Sequence, residues 1–193
     1  MNRRVELRKT VRARRNQLTL AEQQHASELL AKRLANHEKI QSAKTIALYL
    51  ANDAELDLTP FIHWCWQHKK QVYLPVLHPF SLCNLLFLKY QENTAMQENI
   101  FGILEPKLDV TNVCPLSQLD IICTPLVAFD HTGSRLGMGG GFYDRTLSHW
   151  QGQNNLYPIG LAHDCQQVDQ IPTEYWDIPL PEIITPSQTF TCY

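Results

Sequence analysis

The chain has 193 residues, 44% of them hydrophobic, with 17 Lys and Arg against 19 Asp and Glu. That length supports one core of ordinary size and nothing in it demands two. No apolar run approaches the ~18 residues that span a bilayer, and a net charge of −2 excludes a surface built throughout for nucleic acid.

The charge is unevenly spread. Residues 1–15 hold Arg3, Arg4, Arg8, Lys9, Arg12, Arg14 and Arg15 against Glu6 alone, which leaves 10 bases and 18 acids for the rest. A basic arm on an acidic body points to an anion met locally. The arm lacks the apolar segment of a secretory signal, and Glu6 with the helical periodicity argues against a transit peptide, so a cytoplasmic protein is expected. The six cysteines include no C-x-x-C pair and the eight histidines no H-E-x-x-H, which gives no support to a zinc ribbon, a thioredoxin-type site or a histidine metal site.

In chain order, Leu7, Val11 and Leu18 recur at spacings of four and seven beside a stripe of Arg4, Arg8, Arg12 and Arg15, which predicts an amphipathic helix. The arginines are either a solvated face or a set of planar, permanently charged forks for an anion. Thr19-Leu20-Ala21-Glu22 fits a capping box opening a second helix to about Gln41, with Leu29, Leu30, Leu34 and Ile40 as its core face. Residues 45–50 read as a buried strand and 51–57 as the loop leaving its carboxyl end. Thr59 as N-cap and Pro60 at the first helical position start a helix through about His68. Residues 71–76 are a second strand, and strand, helix, strand is a βαβ unit that favours a parallel sheet.

Residues 85–90 form a further strand, and 101–106 a turn-rich ordered segment. The apolar run 119–130 is interrupted by Pro125, which cannot donate to a ladder. Its first half should be a central strand and its second half should leave the sheet or follow an edge. A glycine loop comes next, then a short helix over 142–150 and strands over 157–162 and 183–185. The expected fold is α/β, a single domain over 1–193 with a mostly parallel central sheet flanked by helices.

Residues 133–141 hold five of the eight glycines and lead directly into Phe142, Tyr143, Asp144 and Arg145. Glycine costs backbone entropy and adds nothing to a core, so the loop suits a close approach to the backbone by a phosphate, a flat ring or another chain segment. Neither standard nucleotide loop is present: there is no Gly-Lys pair for G-x-x-x-x-G-K-[ST], and G-x-G-x-x-G would need glycine at Phe142 or Asp144. A glycine-rich turn between strand and helix still points N–H groups outward for phosphate, with Arg135 and Arg145 on either side. Asp144 is placed either for Mg2+ beside phosphate oxygens or as a first-turn helix acid. Phe142 and Tyr143 are either core residues or rings against a flat ligand.

The core R-L-G-x-G-x-G-[FY]-Y-D-R within residues 133–145 resembles the signature of the 5-formyltetrahydrofolate cyclo-ligase family, also called 5,10-methenyltetrahydrofolate synthetases. Arg4-x-x-Leu7-Arg8, Tyr49-Leu50 with Glu55 beyond, Phe101-Gly102-Ile103-x-Glu105-Pro106, the run Pro125 to Asp130, and Gly160-Leu161-Ala162 are similar to that family in the same order. The resemblance implies a three-layer fold of the NagB/RpiA/CoA-transferase kind. It implies conversion of 5-formyltetrahydrofolate to 5,10-methenyltetrahydrofolate with ATP as co-substrate and Mg2+ as cofactor, through phosphorylation of the formyl oxygen and attack by N10. No enzyme nucleophile is needed, which agrees with the lack of a Ser/His/Asp or Cys/His set. The implied ATP contacts are Arg4, Arg8, Arg135, Leu136, Gly137, Met138, Gly139, Gly140, Gly141, Phe142 and Tyr143, and the implied folate contacts are Leu50, Glu55, Phe142 and Tyr143. Arg135, Tyr143 and Arg145 are assigned to catalysis, and Asp144 and Asp177 to the metal. Arg4 stands where many members carry Lys, and Met138 where some carry a base. The partners are small molecules, with no nucleic acid and no membrane, and a monomer is expected.

Two other readings remain open on sequence. One is a sugar-phosphate or CoA-ester enzyme on a related scaffold, using the loop for phosphate without ATP. The other is an RNA-associated module working through its basic first helix, which predicts steeply salt-dependent binding.

Overall fold

The computed structural model describes residues 3–152 and 155–192. Helix α1 (Arg3–Asn16) turns both of its stripes towards the body. Val11 is fully buried with Val127, Ala128, Leu136 and Ile171, and Leu7 packs against that cluster. Helix α2 (Leu20–Ala35) opens at the expected capping box: the Glu22 carboxylate accepts from Thr19 N–H at 2.8 Å, and the Thr19 hydroxyl accepts from Glu22 N–H at 3.3 Å. It stops before Gln41. The Asn36 side chain donates to Lys32 O, competing with the helical ladder, and His37 is extended. A separate helix, α3 (Glu38–Ser42), then returns Ile40 to the same core.

Strand β1 (Thr45–Ala47) is shorter than its apolar run, though Leu48 N–H still bonds Tyr73 O. In α4 (Thr59–Gln67) Thr59 is already helical and Leu58 is the cap residue. The capping chemistry comes from Asp57, whose Oδ1 accepts from Thr59 N–H at 2.9 Å and from its hydroxyl at 2.6 Å. Strand β2 (Gln71–Leu77) pairs in parallel with β1, completing the βαβ unit.

Strand β3 (Leu85–Tyr90) runs antiparallel to β2, because a short connection can only return the chain as a hairpin. β4 (Met96–Glu98) and β5 (Leu104–Pro106) make a separate ribbon from the turn-rich segment, and β6 (Val113–Cys114) borders β3. β7 (Ile121–Pro125) is central, as the apolar run predicts. After Pro125 the chain leaves the sheet, and β8 (Ala128–Phe129) pairs with β9 (Arg135–Leu136) in a two-stranded ribbon. α5 (Phe142–Leu147), β10 (Tyr157–Leu161), β11 (Glu182–Ile184) and β12 (Thr189–Thr191) follow, so the last helix ends before the expected Trp150.

The eight-stranded sheet has the order β12-β11-β10-β7-β1-β2-β3-β6. It is parallel from β11 to β2 and antiparallel at both margins. Side chains alternate across it with period two. Ile46, Ile121, Cys123 and Ile159 meet α2 and α4 on one face, while Ala47, Ile122 and Ile183 meet Leu147 of α5 and Phe129 on the other. The protein is a mixed α/β domain with a covered, mostly parallel sheet. No helix among the described residues is long and apolar enough to cross a membrane.

The loops that matter for a ligand leave the carboxyl ends of β1, β7 and β10, the end where open α/β sheets bind. The β8–β9 ribbon is held there by Gly133. With φ +80° a side chain would be strained, and a Cβ would lie 2.2 Å from Leu180 O. Gly133 O also accepts from Leu180 N–H at 2.9 Å, tying the ribbon to the chain entering β11.

Candidate active site

The four arginines of the α1 stripe do not form a solvated face. Arg4 makes a two-pronged ion pair with Asp177 and donates to Pro172 O at 2.9 Å. Arg8 Nε donates to Gly137 O at 2.8 Å, and its guanidinium sits so close to Gly139 that a Cβ there would touch it at 3.6 Å. Arg12 and Arg15 both donate to Asp53 at 2.7 Å. Arg14, off the stripe, is exposed. A helix repeat of 3.6 puts residues 4, 8, 12 and 15 on one side, and the tertiary fold presses that side against the glycine loop and the 50–55 loop. The stripe on which the RNA-module reading relies is paired with Asp177, Gly137 O and Asp53, and the exposed bases left on α1 are Arg3, Lys9 and Arg14.

The glycine loop rises from the β8–β9 ribbon, closed by Val127 N–H to Leu136 O at 2.7 Å. Met138, Gly139 and Gly140 are exposed, and among the described residues the N–H groups of 138–141 donate to nothing in the chain. Gly141 takes the left-handed conformation at φ +68° and starts α5. Unbonded amides beside a cation make a concavity suited to phosphate oxygens. Arg145 is exposed and donates to Gly140 O at 3.3 Å, steadying the loop rather than joining the carboxylates. The Met138 side chain points to solvent.

Below the loop, acids and bases alternate. Arg135 is 4% exposed and donates through Nη2 to Asp144 at 2.9 Å, and the same Asp144 oxygen accepts from Ile178 N–H at 3.2 Å. Burial pushes the Arg135 pKa down from its ordinary value, with Asp144 and Asp177 offsetting part of the cost. Burial raises Asp177, but Arg4, the Glu174 N–H and Arg135 together outweigh it and leave the carboxyl below the usual carboxylate range. Arg135 Nε has no hydrogen bond among the described residues. A cavity of about 240 Å³ opens beside it, lined by Glu174 and Asp177 as well.

Among the described residues no group of three His, Cys, Asp or Glu could hold a metal unaided. Asp144 and Asp177 are instead two carboxylates near the glycine loop. That donor set fits Mg2+, which takes one or two carboxylates and completes its shell with phosphate oxygens and water.

Glu55 lies in a turn where its N–H donates to Asn52 O at 3.0 Å and its carboxylate accepts from Asn52 N–H at 3.1 Å. Burial pushes its carboxyl up to about 7, against the opposing pull of the Asn52 N–H and Arg15. Tyr143 lies within electrostatic reach of both Glu55 and Arg135, and burial raises its hydroxyl pKa. Phe142 meets Phe101 edge to face at 6.2 Å. Leu50 is half-buried and packs against the main core below the same loop. The exposed Phe101, the Asp53 pairing, and Tyr49 and His163 near Arg15 were not singled out from the sequence as site residues. The inward arginine stripe was the only signal for the Asp53 pairing, because the pairing itself joins residues 38 and 41 apart.

A sequence model described as the 5-formyltetrahydrofolate cyclo-ligase family matches residues 1–186. The chain belongs to that family. It is 52% identical over 180 residues to the 5-formyltetrahydrofolate cyclo-ligase of Escherichia coli K12, covering 93% of this chain and 98% of the relative. The Haemophilus influenzae protein of the same name is 50% identical over 181 residues, with 94% and 96% covered. The solved structure of Aquifex aeolicus 5,10-methenyltetrahydrofolate synthetase matches with a TM-score of 0.83 at 28% identity, over 98% of this chain and 92% of that one. Membership in the 5-formyltetrahydrofolate cyclo-ligase family makes this a ligase of folate metabolism, and it displaces the sugar-phosphate and CoA-ester reading.

Proposed function

We propose that residues 1–193 act as one catalytic domain that converts 5-formyltetrahydrofolate to 5,10-methenyltetrahydrofolate, with ATP hydrolysed to ADP and phosphate. The observation that carries this reading is the glycine loop itself, whose 138–141 N–H groups have no acceptor among the described residues, with Arg8 against Gly137 and Gly139 and with Tyr143, which follows it, in electrostatic reach of the half-buried Glu55. A phosphoryl donor and a pterin need such surfaces side by side.

In this reading Arg8 and the amides of 138–141 hold the ATP phosphates, with Arg4 behind them and Leu136 at the base of the loop. Arg135, buried and with no hydrogen bond from Nε among the described residues, supplies fixed positive charge where negative charge develops during transfer. Glu55 accepts hydrogen bonds from pterin N–H groups, and Leu50, Phe142 and Tyr143 enclose the ring and exclude water. The formyl oxygen takes the γ-phosphoryl group and ADP leaves. N10 then attacks the activated carbon, the C–O bond breaks, and phosphate departs as N10 loses its proton. Positioning supplies most of the acceleration, since no protein nucleophile takes part. Arg145 maintains the loop's shape through Gly140 O.

Asp144 and Asp177 would hold Mg2+, which on binding shields the phosphate charges. The two acids are paired with Arg135 and Arg4, so the arginines would exchange part of that pairing for phosphate. The six free cysteines suit a reducing compartment, and we assign the enzyme to the cytoplasm as a monomer.

The test follows methenyltetrahydrofolate absorbance with 5-formyltetrahydrofolate, ATP and Mg2+ omitted one at a time. Product is expected only when all three are present, and ATP-independent product would sink the reading. Asp144→Asn is expected to raise the Mg2+ concentration for half-maximal rate roughly tenfold or more. An unchanged Mg2+ titration would remove Asp144 from the metal.

A further inference from the structure

One contact network joins the turn that carries Glu55 to helix α1. We propose that Asp53 is a positioning residue that couples nucleotide binding to folate binding, by fastening the turn that carries Glu55 to the helix that carries Arg4 and Arg8. The inference rests on the reading of Arg4 and Arg8 as the nucleotide side and Glu55 as the folate side.

A single oxygen, Asp53 Oδ2, accepts from Arg12 Nε and Arg15 Nη2, both at 2.7 Å. These arginines lie on the same face of α1 as Arg4 and Arg8. From Arg4 to Arg15 the helix rises about 16 Å, so one rigid rod reaches from the Asp177 pair and the Gly137 carbonyl to the Glu55 turn. That turn has to be held. Asp53 at φ 51° and Ala54 at φ 57° are non-glycine residues in the left-handed region, which persists only where surroundings enforce it.

Arg15 shows what enforces it. Its guanidinium is 1% exposed, and Nε and Nη1 have no hydrogen bond among the described residues, so Asp53 is the carboxylate that answers this buried charge. Removing the carboxylate would strip the buried Arg15 cation of its hydrogen-bonded counter-ion, leaving Glu55, whose own carboxyl burial pushes up to about 7, as the acid within its electrostatic reach beside Tyr49 and His163. The helix and the turn must therefore move together. When a nucleotide draws Arg4 and Arg8 into a fixed register, α1 passes that register to residues 53–55. Linkage requires the reverse as well: folate held by Glu55 sets the register of the arginines.

Calorimetric titration of 5-formyltetrahydrofolate, with and without a non-hydrolysable ATP analogue plus Mg2+, reads the coupling directly. The wild-type protein is expected to bind folate at least about fivefold more tightly with the analogue present. In Asp53→Asn that factor is expected to fall to within about twofold of unity, while the analogue alone binds within about twofold of wild type. Asp53→Glu, which keeps the carboxylate, should recover part of the factor. A purely structural role for Asp53 would lower the melting temperature and weaken both ligands with the factor intact, and that result overturns the proposal. Should Asp53→Asn fail to fold, Arg12→Gln leaves the Arg15 pair in place and is expected to give an intermediate factor, a wild-type factor there being the overturning result. A wild-type factor of one also overturns it. Glu55→Gln separates the two layers: normal folate affinity in that variant overturns the site reading and the coupling with it. Weakened affinity there, with an unchanged factor in Asp53→Asn, overturns the coupling alone.

Discussion

Glu55 is the residue whose role pH can expose. Its carboxyl is pushed up to about 7 by burial, while Asp53, two residues earlier, is held below the usual carboxylate range first by the Arg12 hydrogen bond. Only ionised Glu55 can accept at both oxygens. The KM for 5-formyltetrahydrofolate is therefore expected to rise as pH falls from about 8 to about 6, and Glu55→Gln to flatten that dependence. A flat wild-type profile would detach Glu55 from the pterin. The same shifts act on stability with opposite signs. Folded Glu55 keeps a proton that the unfolded chain releases above about 4.5, so its contribution is complete below that pH and is lost as pH rises through about 7. Asp53 and Asp177 stabilise above the unfolded carboxylate range and lose that contribution as pH falls through their lowered values. His163, pushed down to about 4 first by burial and then by Arg15, stabilises above about 6.5 and loses that contribution as pH falls towards 4.

At the scale of elements, local chemistry set the starts of helices better than their ends. The capping box at Thr19 was readable because its donors and acceptors lie three residues apart. Thr19→Ala is expected to cost about 1 kcal/mol in urea unfolding with no change in KM, since the cap is exposed and remote from the site. The break at Asn36 was hidden because Ile40 still reaches the core that Leu34 occupies. The cap at Thr59 was misplaced by one residue for a similar reason: Asp57, a better acceptor, sits just upstream. Helix α1 shows the limit most clearly. Its arginine spacing identified a face, but a face can be solvated or buried. The acids that bury this one, Asp53 and Asp177, are loop residues with no periodicity of their own.

For the whole molecule, the decisive constraint is the covered parallel sheet. Gly160 sits in β10, where a Cβ would come within 3.0 Å of Leu180, Ile183 and Leu126 side chains. Gly160→Ala is expected to cost about 1–3 kcal/mol through overpacking, read as a lowered melting temperature with Mg2+ dependence unchanged; a neutral effect would show that the layer between β10 and the 178–183 segment has slack. The apolar runs, the βαβ order and Pro125 were enough to place a parallel centre and an exit from it. They could not show that β3, β6 and β12 run antiparallel at the margins, because pairing direction there depends on which neighbour is free. The glycine loop ahead of Tyr143, Asp144 and Arg145 likewise marks a close approach to the backbone from composition, since glycine is too costly to crowd without a use, while the identity of what approaches comes from the family resemblance. What needed the folded molecule was every pairing across distance, Arg4 with Asp177, Arg135 held buried against Asp144, and Arg15 with Asp53, because charge partners far apart in sequence are chosen by the geometry of the sheet's carboxyl ends and leave no periodic trace.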